Sequence, residues 1–462
     1  MIWKIVSTAS MLFLVACAPT QDFVRPQLPV PTQWARAGGD LQAAASKTHW
    51  RAFFTEPQLQ QLIEVALANN RDLRIAAGRV QEARAQFGMA RADTLPSLNV
   101  LGSGNLTRTT TDLSGTNAPL TSQRFDLGVS SVSYEIDFWG RLASLTDAAR
   151  LSYLATEESR RSVYLSLISD VALSYLNLLQ YKELIADEQA TVALREYSLL
   201  LIHQGYQAGA ANDFEYQQAR SLLETAQATL ASYDHQLTVA RNQLNFLLGN
   251  AAFDLKLGAR LDQQGLDKPL STALPAEVLL LRPDVMAAEQ RLRAMHANIA
   301  AARAAFLPKV MLTATLGLAS QGLASLFSGG AWAFQPLITM PLFDGGRTAA
   351  GVDLAEARKV VAVAEYERAI QVAFREVADL LAARKSLALQ LEAVRVGVQA
   401  QRRRLEIAQG RFEAGASGYL EVLEAQRELI GAQQRALQLR RTQLESNVQL
   451  YKALGGGIDS VQ

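Results

Sequence analysis

From Leu142 to Gln204 the chain runs without a proline or a glycine. Sixty-odd residues of uninterrupted helix, at ~1.5 Å each, span about 95 Å, a length that no single globular domain needs. Apolar residues recur three and four apart: Val163, Leu167, Val171, Tyr175 and Leu178, with Tyr164, Ile168, Ala172 and Leu179 beside them. That pattern covers more than one face, so the helix packs against neighbours on both sides. Proline is absent altogether between Pro119 and Pro269, and again after Pro341.

The chain also matches itself. Asp72, Arg79, Ala90, Arg91, Leu95 and Pro96 align with Asp284, Arg291, Ala302, Arg303, Leu307 and Pro308. Further on, Gly140-Arg141 meets Gly346-Arg347, Ala208-Gly209-Ala210 meets Ala414-Gly415-Ala416, and Leu248-Gly249 meets Leu454-Gly455. The offset falls from 212 to 206 between Pro96 and Gly140, so a loop of variable length lies there. Units of this size are too long for a solenoid repeat, and they read as a duplication: repeat 1 over 57–265 and repeat 2 over 266–457.

Each repeat predicts the same order of elements. A helix (57–93; 277–305) precedes a strand pair (97–138; 309–343), a long helix (141–204; 347–410) and a return helix (213–248; 417–454). Gly209 and Gly415 suit the left-handed conformation that closes a helix. The polar residues after them, Asn212 and Asp213 in one copy and Ser417 in the other, suit the cap of the next. Both breaks are therefore tips of antiparallel helical hairpins.

The strand pairs alternate. Val310, Leu312, Leu316 and Leu318 oppose Thr313 and Thr315; Val132, Tyr134, Ile136 and Phe138 oppose Ser131, Ser133, Glu135 and Asp137. Trp332, Phe334, Ile338, Met340 and Leu342 share a side. Half-buried soluble hairpins would show the same alternation. The polar Gly/Ser/Thr-rich loops and the aromatic residues near strand ends favour lipid contact instead.

The first residues hold Lys4, a short apolar stretch and Leu14-Val15-Ala16-Cys17. This reads as a signal peptide (1–16) that suits an exported leader better than a span. It is similar to a bacterial lipobox, which makes Cys17 a lipidation site; an ordinary leader with an incidental cysteine is the alternative. Ala18 is not the aspartate that often marks inner-membrane retention, so the outer membrane is expected. A proline-rich tether (17–56) follows, and 458–462 form a tail. With net charge +1, nothing points to nucleic acid. His49, His203, His235 and His296 are scattered without metal-ligand spacing, and no Walker A lysine follows a glycine pair. No enzyme, metal or cofactor is expected beyond covalent lipid on Cys17.

"LLLRPDVMAAEQRLRAMHANIAAARAAFLPKVMLTATLG", "YEIDFWGRL", "MPLFDGGR" and "FEAGASGYLEVLEAQRELIGAQ" resemble the TolC-like outer-membrane efflux channels, and the lipobox points to their OprM/NodT-type lipoprotein branch. The resemblance runs from about Cys17 to Gly457. It implies an α+β membrane protein: long α-helices forming a periplasmic α-barrel, and four transmembrane β-strands per chain. Four strands cannot close a barrel, and an open edge in lipid leaves backbone groups unpaired. Three chains supply twelve strands and no edge, in keeping with the family's homotrimers.

The resemblance further implies a passive exit duct for drugs or other toxic small solutes. Its partners would be a periplasmic adaptor, an inner-membrane RND-type transporter and outer-membrane lipid. Carried over residue by residue, the periplasmic gate falls on Leu420, Glu424 and Arg427, with Glu421 a further candidate. Spacings of four and three place the first three on one helical stripe. Glu424 stands where relatives commonly carry aspartate, and solvated surface charge is the alternative for each of these residues. Gln218 and Ser221 occupy the corresponding places in the first repeat, so the charged gate belongs to the second hairpin alone. Adaptor docking is expected at the tips, on Gly209, Ala210, Asn212, Gly415, Ala416 and Ser417. A type I protein-secretion duct shares this architecture. A periplasmic adaptor lipoprotein is disfavoured by the duplication, and a coiled-coil scaffold by the strands.

Overall fold

A computed structural model of the chain describes residues 23–32, 34, 48–115, 118–249, 260–266 and 276–456. The expected leader, Cys17 and the tail at 458–462 lie outside the described residues. The elements are α1 (Trp50–Phe53), α2 (Pro57–Asn69), α3 (Arg71–Ala92), β1 (Asn99–Thr109), β2 (Leu120–Ile136), α4 (Arg141–Gln207) and α5 (Asp213–Leu248) from the first repeat and the segment before it. The second repeat supplies α6 (Pro283–Ala304), β3 (Lys309–Ser320), β4 (Gly330–Thr339), α7 (Arg347–Glu413) and α8 (Tyr419–Ala453). Two compact units result, each drawn from both repeats: one holds 1–27, 79–157 and 287–367, the other 28–78, 158–286 and 368–462.

The first unit is built on a four-stranded antiparallel sheet in the order β1-β2-β3-β4. Residues directly opposite share a face. Val129 stands between Val100 and Leu316, Leu127 faces Leu318, Leu316 faces Trp332 and Val310 faces Ile338. This face is apolar, and in the single chain Trp332 is 78% exposed. An apolar surface this open needs a covering that water does not supply. The other face is polar: Ser130 Oγ lies 3.0 Å from Thr315 Oγ1, and Arg124 is bonded to Asp126 at 2.9 Å.

Unbroken alternation over 131–138 needs correcting. Ser131 pairs with Ala314 and Tyr134 with Leu312, so Val132 and Ser133 together stand against Thr313. One extra residue moves every later side chain to the opposite face. The bulge therefore brings Tyr134 and Ile136 onto the same apolar face as Leu127 and Val129. Ser133 sits at φ 55°, and its N–H donates to Thr313 Oγ1 at 3.1 Å, which secures the kink.

Strand passes to helix through carboxylate caps. Asp137 accepts from the Ala143 N–H at 2.8 Å. Asp344 accepts from the N–H groups of Gly346 at 3.0 Å and Thr348 at 2.8 Å, in a turn where Gly345 and Gly346 take φ 65° and 89°. The "FDGGR" segment is thus the entry to α7.

α4 and α7 each contain 67 residues, about 100 Å of helix. One stretch of α4 has the length and hydropathy of a membrane span, yet 61% of it is buried inside the chain, as in a core helix. In the second unit α8 lies antiparallel to α4 along a polar seam. Ser198 meets Tyr419 at 2.5 Å, Arg195 donates to Gln426 at 2.7 Å, Gln180 to Gln438 at 2.5 Å and Arg441 to Asn177 at 3.0 Å. Beyond the last of these rungs Tyr175, Leu176, Leu444 and Val448 are fully buried.

The N-terminal helices depart from single rods. The first breaks at Asn70, at ψ 135°, whose side chain accepts from Leu73 N–H at 3.0 Å and donates to Leu247 O at 2.9 Å. The second starts as a 3-10 segment over Ala276–Leu281 before Pro283 opens α6.

Candidate gate at the helical tips

Both hairpins turn in the same way. Gly209 and Gly415 take φ 74° and 71°. The next N–H reaches back five residues, Ala210 to Gly205 O and Ala416 to Arg411 O, each at 2.8 Å. The glycine N–H groups reach Tyr206 O and Phe412 O at 3.1 and 2.9 Å. This double bond pattern satisfies the last carbonyls of each long helix, and glycine supplies the left-handed residue it requires.

The restarts differ. Asn212 caps α5 in a reciprocal box: Glu215 N–H donates to Asn212 Oδ1 at 3.0 Å, and Asn212 N–H to Glu215 Oε2 at 3.1 Å. Asp213 is the first helical residue rather than the cap. Ser417 does not cap α8, which corrects the expectation for the second tip. The N-cap position falls one residue later, on Gly418, and carries no side-chain bond, while Ser417 Oγ is buried without a partner.

Beyond the turn, α8 sorts its side chains by face. Val422, Leu423, Ala425 and Gln426 are buried, and Val422 and Ala425 pack with Ala408, Leu405 and Tyr419. Leu420, Glu424 and Arg427 form the exposed stripe. Glu424 makes no hydrogen bond or ion pair among the described residues, and Arg427 touches its neighbour Glu428 at 3.3 Å. Glu421 lies off this stripe, half-buried, with Arg411 Nε of the same hairpin at 3.5 Å. On the first hairpin Gln218 is half-buried and Ser221 exposed.

Between the two tips lies a groove of about 280 Å³, lined by Leu201, Gly205, Ala211, Phe412, Tyr419 and Leu423 among others. Gly209, Ala210, Asn212, Gly415 and Ala416 are exposed beside it, and Ser417 is half-buried. Periodicity gave no warning of what holds the gate helix. Arg195 is 4% exposed, and burial pulls its guanidinium below the usual arginine range against the opposing pull of Tyr419 and Glu188. Its neighbours on the same stripe, Glu188, Thr191 and Ser198, are polar and also buried, so in the sequence the stripe reads as a solvated face. Among the described residues no group of three or more His, Cys, Asp or Glu is placed to hold a metal ion.

A family profile described as outer membrane efflux protein matches residues 62–250 and 274–456, one match per repeat. The chain is 41% identical over 457 residues to the toluene efflux pump outer membrane protein TtgI of Pseudomonas putida, covering 97% of each. It is 40% identical over 464 residues to the cation efflux system protein CusC of Escherichia coli, covering 98% of this chain and 99% of CusC. Among solved structures, the open state of the Neisseria gonorrhoeae MtrE outer membrane channel superposes with a TM-score of 0.87 at 33% identity, covering 96% of this chain and 99% of MtrE. Repeats, sheet, hairpins and sequence agree: the chain belongs to the outer membrane efflux protein family.

Proposed function

We propose that Leu420, Glu424 and Arg427 close the periplasmic mouth of the duct this chain forms. The chain is an outer membrane efflux channel, the exit duct of a tripartite pump that works with an adaptor and an inner-membrane transporter. Its homotrimer completes a twelve-stranded β-barrel continued by an α-barrel. Threefold symmetry turns each stripe residue into a ring. Ionised carboxylates so gathered repel one another and attract cations, and an arginine from a neighbouring copy relieves that repulsion and draws the helices together.

The observation that carries this reading is the division of α8. Val422, Leu423, Ala425 and Gln426 are committed to its own chain, while Glu424 carries an exposed carboxylate with no partner among the described residues. The tips around Gly209, Ala210, Asn212, Gly415, Ala416 and Ser417 dock the adaptor, the transporter is of the RND type, and Cys17 carries lipid. The cargo is drugs and other toxic small solutes, in line with relatives named for toluene and cation efflux.

Single-channel recording in planar bilayers tests the gate. Glu424→Ala and Arg427→Ala are each expected to raise the conductance of the resting trimer several-fold. Unchanged conductance in both would remove the stripe from the gate.

A further inference from the structure

Residues just after the tether's start are pinned on α6. Glu289 has a side chain only 6% exposed, and it accepts from Arg25 Nη2 at 2.8 and 3.0 Å and from Arg25 Nε at 3.1 Å. One helical turn later Arg293 Nη2 donates to the same carboxylate at 2.7 Å. The Arg293 guanidinium also lies 5.1 Å from the centre of the Phe23 ring, whose edge meets His296 at 6.0 Å. A buried carboxylate held by two arginines, with an aromatic ring against the second, is a fixed point.

The contacts give a direction. Arg25 lies at 289, Phe23 at 293 and 296, so the tether runs antiparallel to α6, and its N-terminal end points towards the C-terminus of that helix. β3 follows there, beginning at Lys309. From His296 to Ala304 the helix rises about 12 Å. The three tight turns after it, Ala305 to Ala302, Phe306 to Arg303 and Leu307 to Ala304, bring the foot of β3 to roughly 20 Å from the Phe23 site. Cys17 precedes Phe23 by six residues, which reach at most about 20 Å when extended.

We propose that Phe23 and Arg25, held by Glu289, Arg293 and His296, form a clasp that sets the reach of an N-terminal lipid anchor to the periplasmic foot of the β-sheet. The proposal rests on acylation of Cys17. A leash just long enough to reach the foot of the sheet holds each protomer at the bilayer surface with its strands aligned for closure. A longer slack would let the sheet drift from that level.

Shortening the leash tests this. Deleting residues 19–21 keeps Cys17 and Ala18 but removes about 10 Å of reach. The deletion is expected to lower the yield of heat-resistant trimer in outer membranes at least threefold. Adding Phe23→Ala and Arg25→Ala, which frees slack from the clasp, is expected to restore it to within twofold of the parent. On the undeleted leash the same pair, and Glu289→Gln, each add slack and are expected to lower trimer yield. A harmless deletion, or one that neither release rescues, overturns the clasp. Mass measurement of the N-terminal peptide separates the two ideas: an unmodified Cys17 overturns acylation and clasp together, whereas an acylated Cys17 without rescue overturns the clasp alone.

Discussion

Replacing Arg282 by alanine is expected to loosen the joint among the three helices of the second repeat. Arg282 is 7% exposed and makes four hydrogen bonds: Nη1 to Ala453 O at 3.0 Å, Nε and Nη2 to Asp284 at 3.1 and 2.7 Å, and Nη2 to Glu376 at 2.9 Å. It therefore holds the last turn of α8, the start of α6 and the middle of α7 at one point. Breaking a buried pair from one side costs about 3–5 kcal/mol when the remaining charge stays dry. Both carboxylate side chains are 42% exposed, so water takes over part of their solvation and about 2–3 kcal/mol is the better figure. Unfolding entropy of ~2.1 cal/mol/K per residue over this chain converts that to a melting point lower by about 2–3 °C. Lysine keeps the charge but lacks the fork that meets three acceptors, and is expected to recover less than half.

The loss should depend on pH in one direction. Burial pushes the Asp284 carboxyl up, but the hydrogen bonds and charge of Arg282, with the Val285 N–H, outweigh it and hold the group below the usual carboxylate range. A carboxyl whose folded pKa lies below its unfolded value stabilises fully above the unfolded value, about 3.9, and loses that contribution as pH falls through the folded one. The gap between parent and Arg282→Ala trimers should thus be full at pH 7 and narrow below about pH 4. Thermal dissociation in mild detergent, followed by intrinsic fluorescence at pH 7 and pH 3, reads both quantities. An unchanged melting point at pH 7, or a gap that stays constant to pH 3, refutes the assignment.

Two further comparisons isolate backbone effects, each read by the same melts. Alanine at Gly209 or Gly415 meets nothing within 4 Å and carries only the left-handed strain of about 1–2 kcal/mol. At Gly249, φ 64°, the added Cβ would lie 2.4 Å from Asn69 O. Gly249→Ala is therefore expected to destabilise more than either tip variant, and equal losses would show that the close approach relaxes freely. Asn212→Ala removes a reciprocal cap and should cost about 1 kcal/mol, whereas Ser417→Ala removes a buried hydroxyl with no partner and should be neutral or slightly stabilising. A larger loss at Ser417 would restore it as a cap.

What the sequence displays plainly follows from local rules. Proline-free runs, left-handed glycines and a two-residue alternation are properties of neighbours in the chain, so α4, both tips and the two faces of β3 can be read without coordinates. The bulge at Ser131–Ser133 cannot, because a register shift exists only between strands; the sequence reads equally well with either phase of β2. Ser417 illustrates a nearer miss, since a hydroxyl beside a helix start resembles a cap until the turn places the first helical N–H groups one residue on.

The charged residues divide along the same line. The gate stripe is legible because its members are four and three apart on one helix. Arg195, Arg282 and Glu289 are not, because each owes its burial to a partner on a distant element: Gln426, Glu376 and Arg25 respectively. On a single helix such residues are indistinguishable from solvated charge. Yet a buried charge is tolerated only where its donors or acceptors are met, so Arg195 and Arg282 fix which helices meet and at what height, and Glu289 fixes the tether on α6. In a duplicated chain whose two repeats carry nearly the same apolar pattern, apolar contact alone would allow the return helices to exchange places. Gln426 stands where repeat 1 has Arg220, and Arg195 where repeat 2 has Gln401. Exchanging the two return helices would set Arg220 against Arg195 and Gln426 against Gln401, placing like charges together in a buried seam. The polar seam thereby specifies that α8, the helix carrying Glu424 and Arg427, lies on α4.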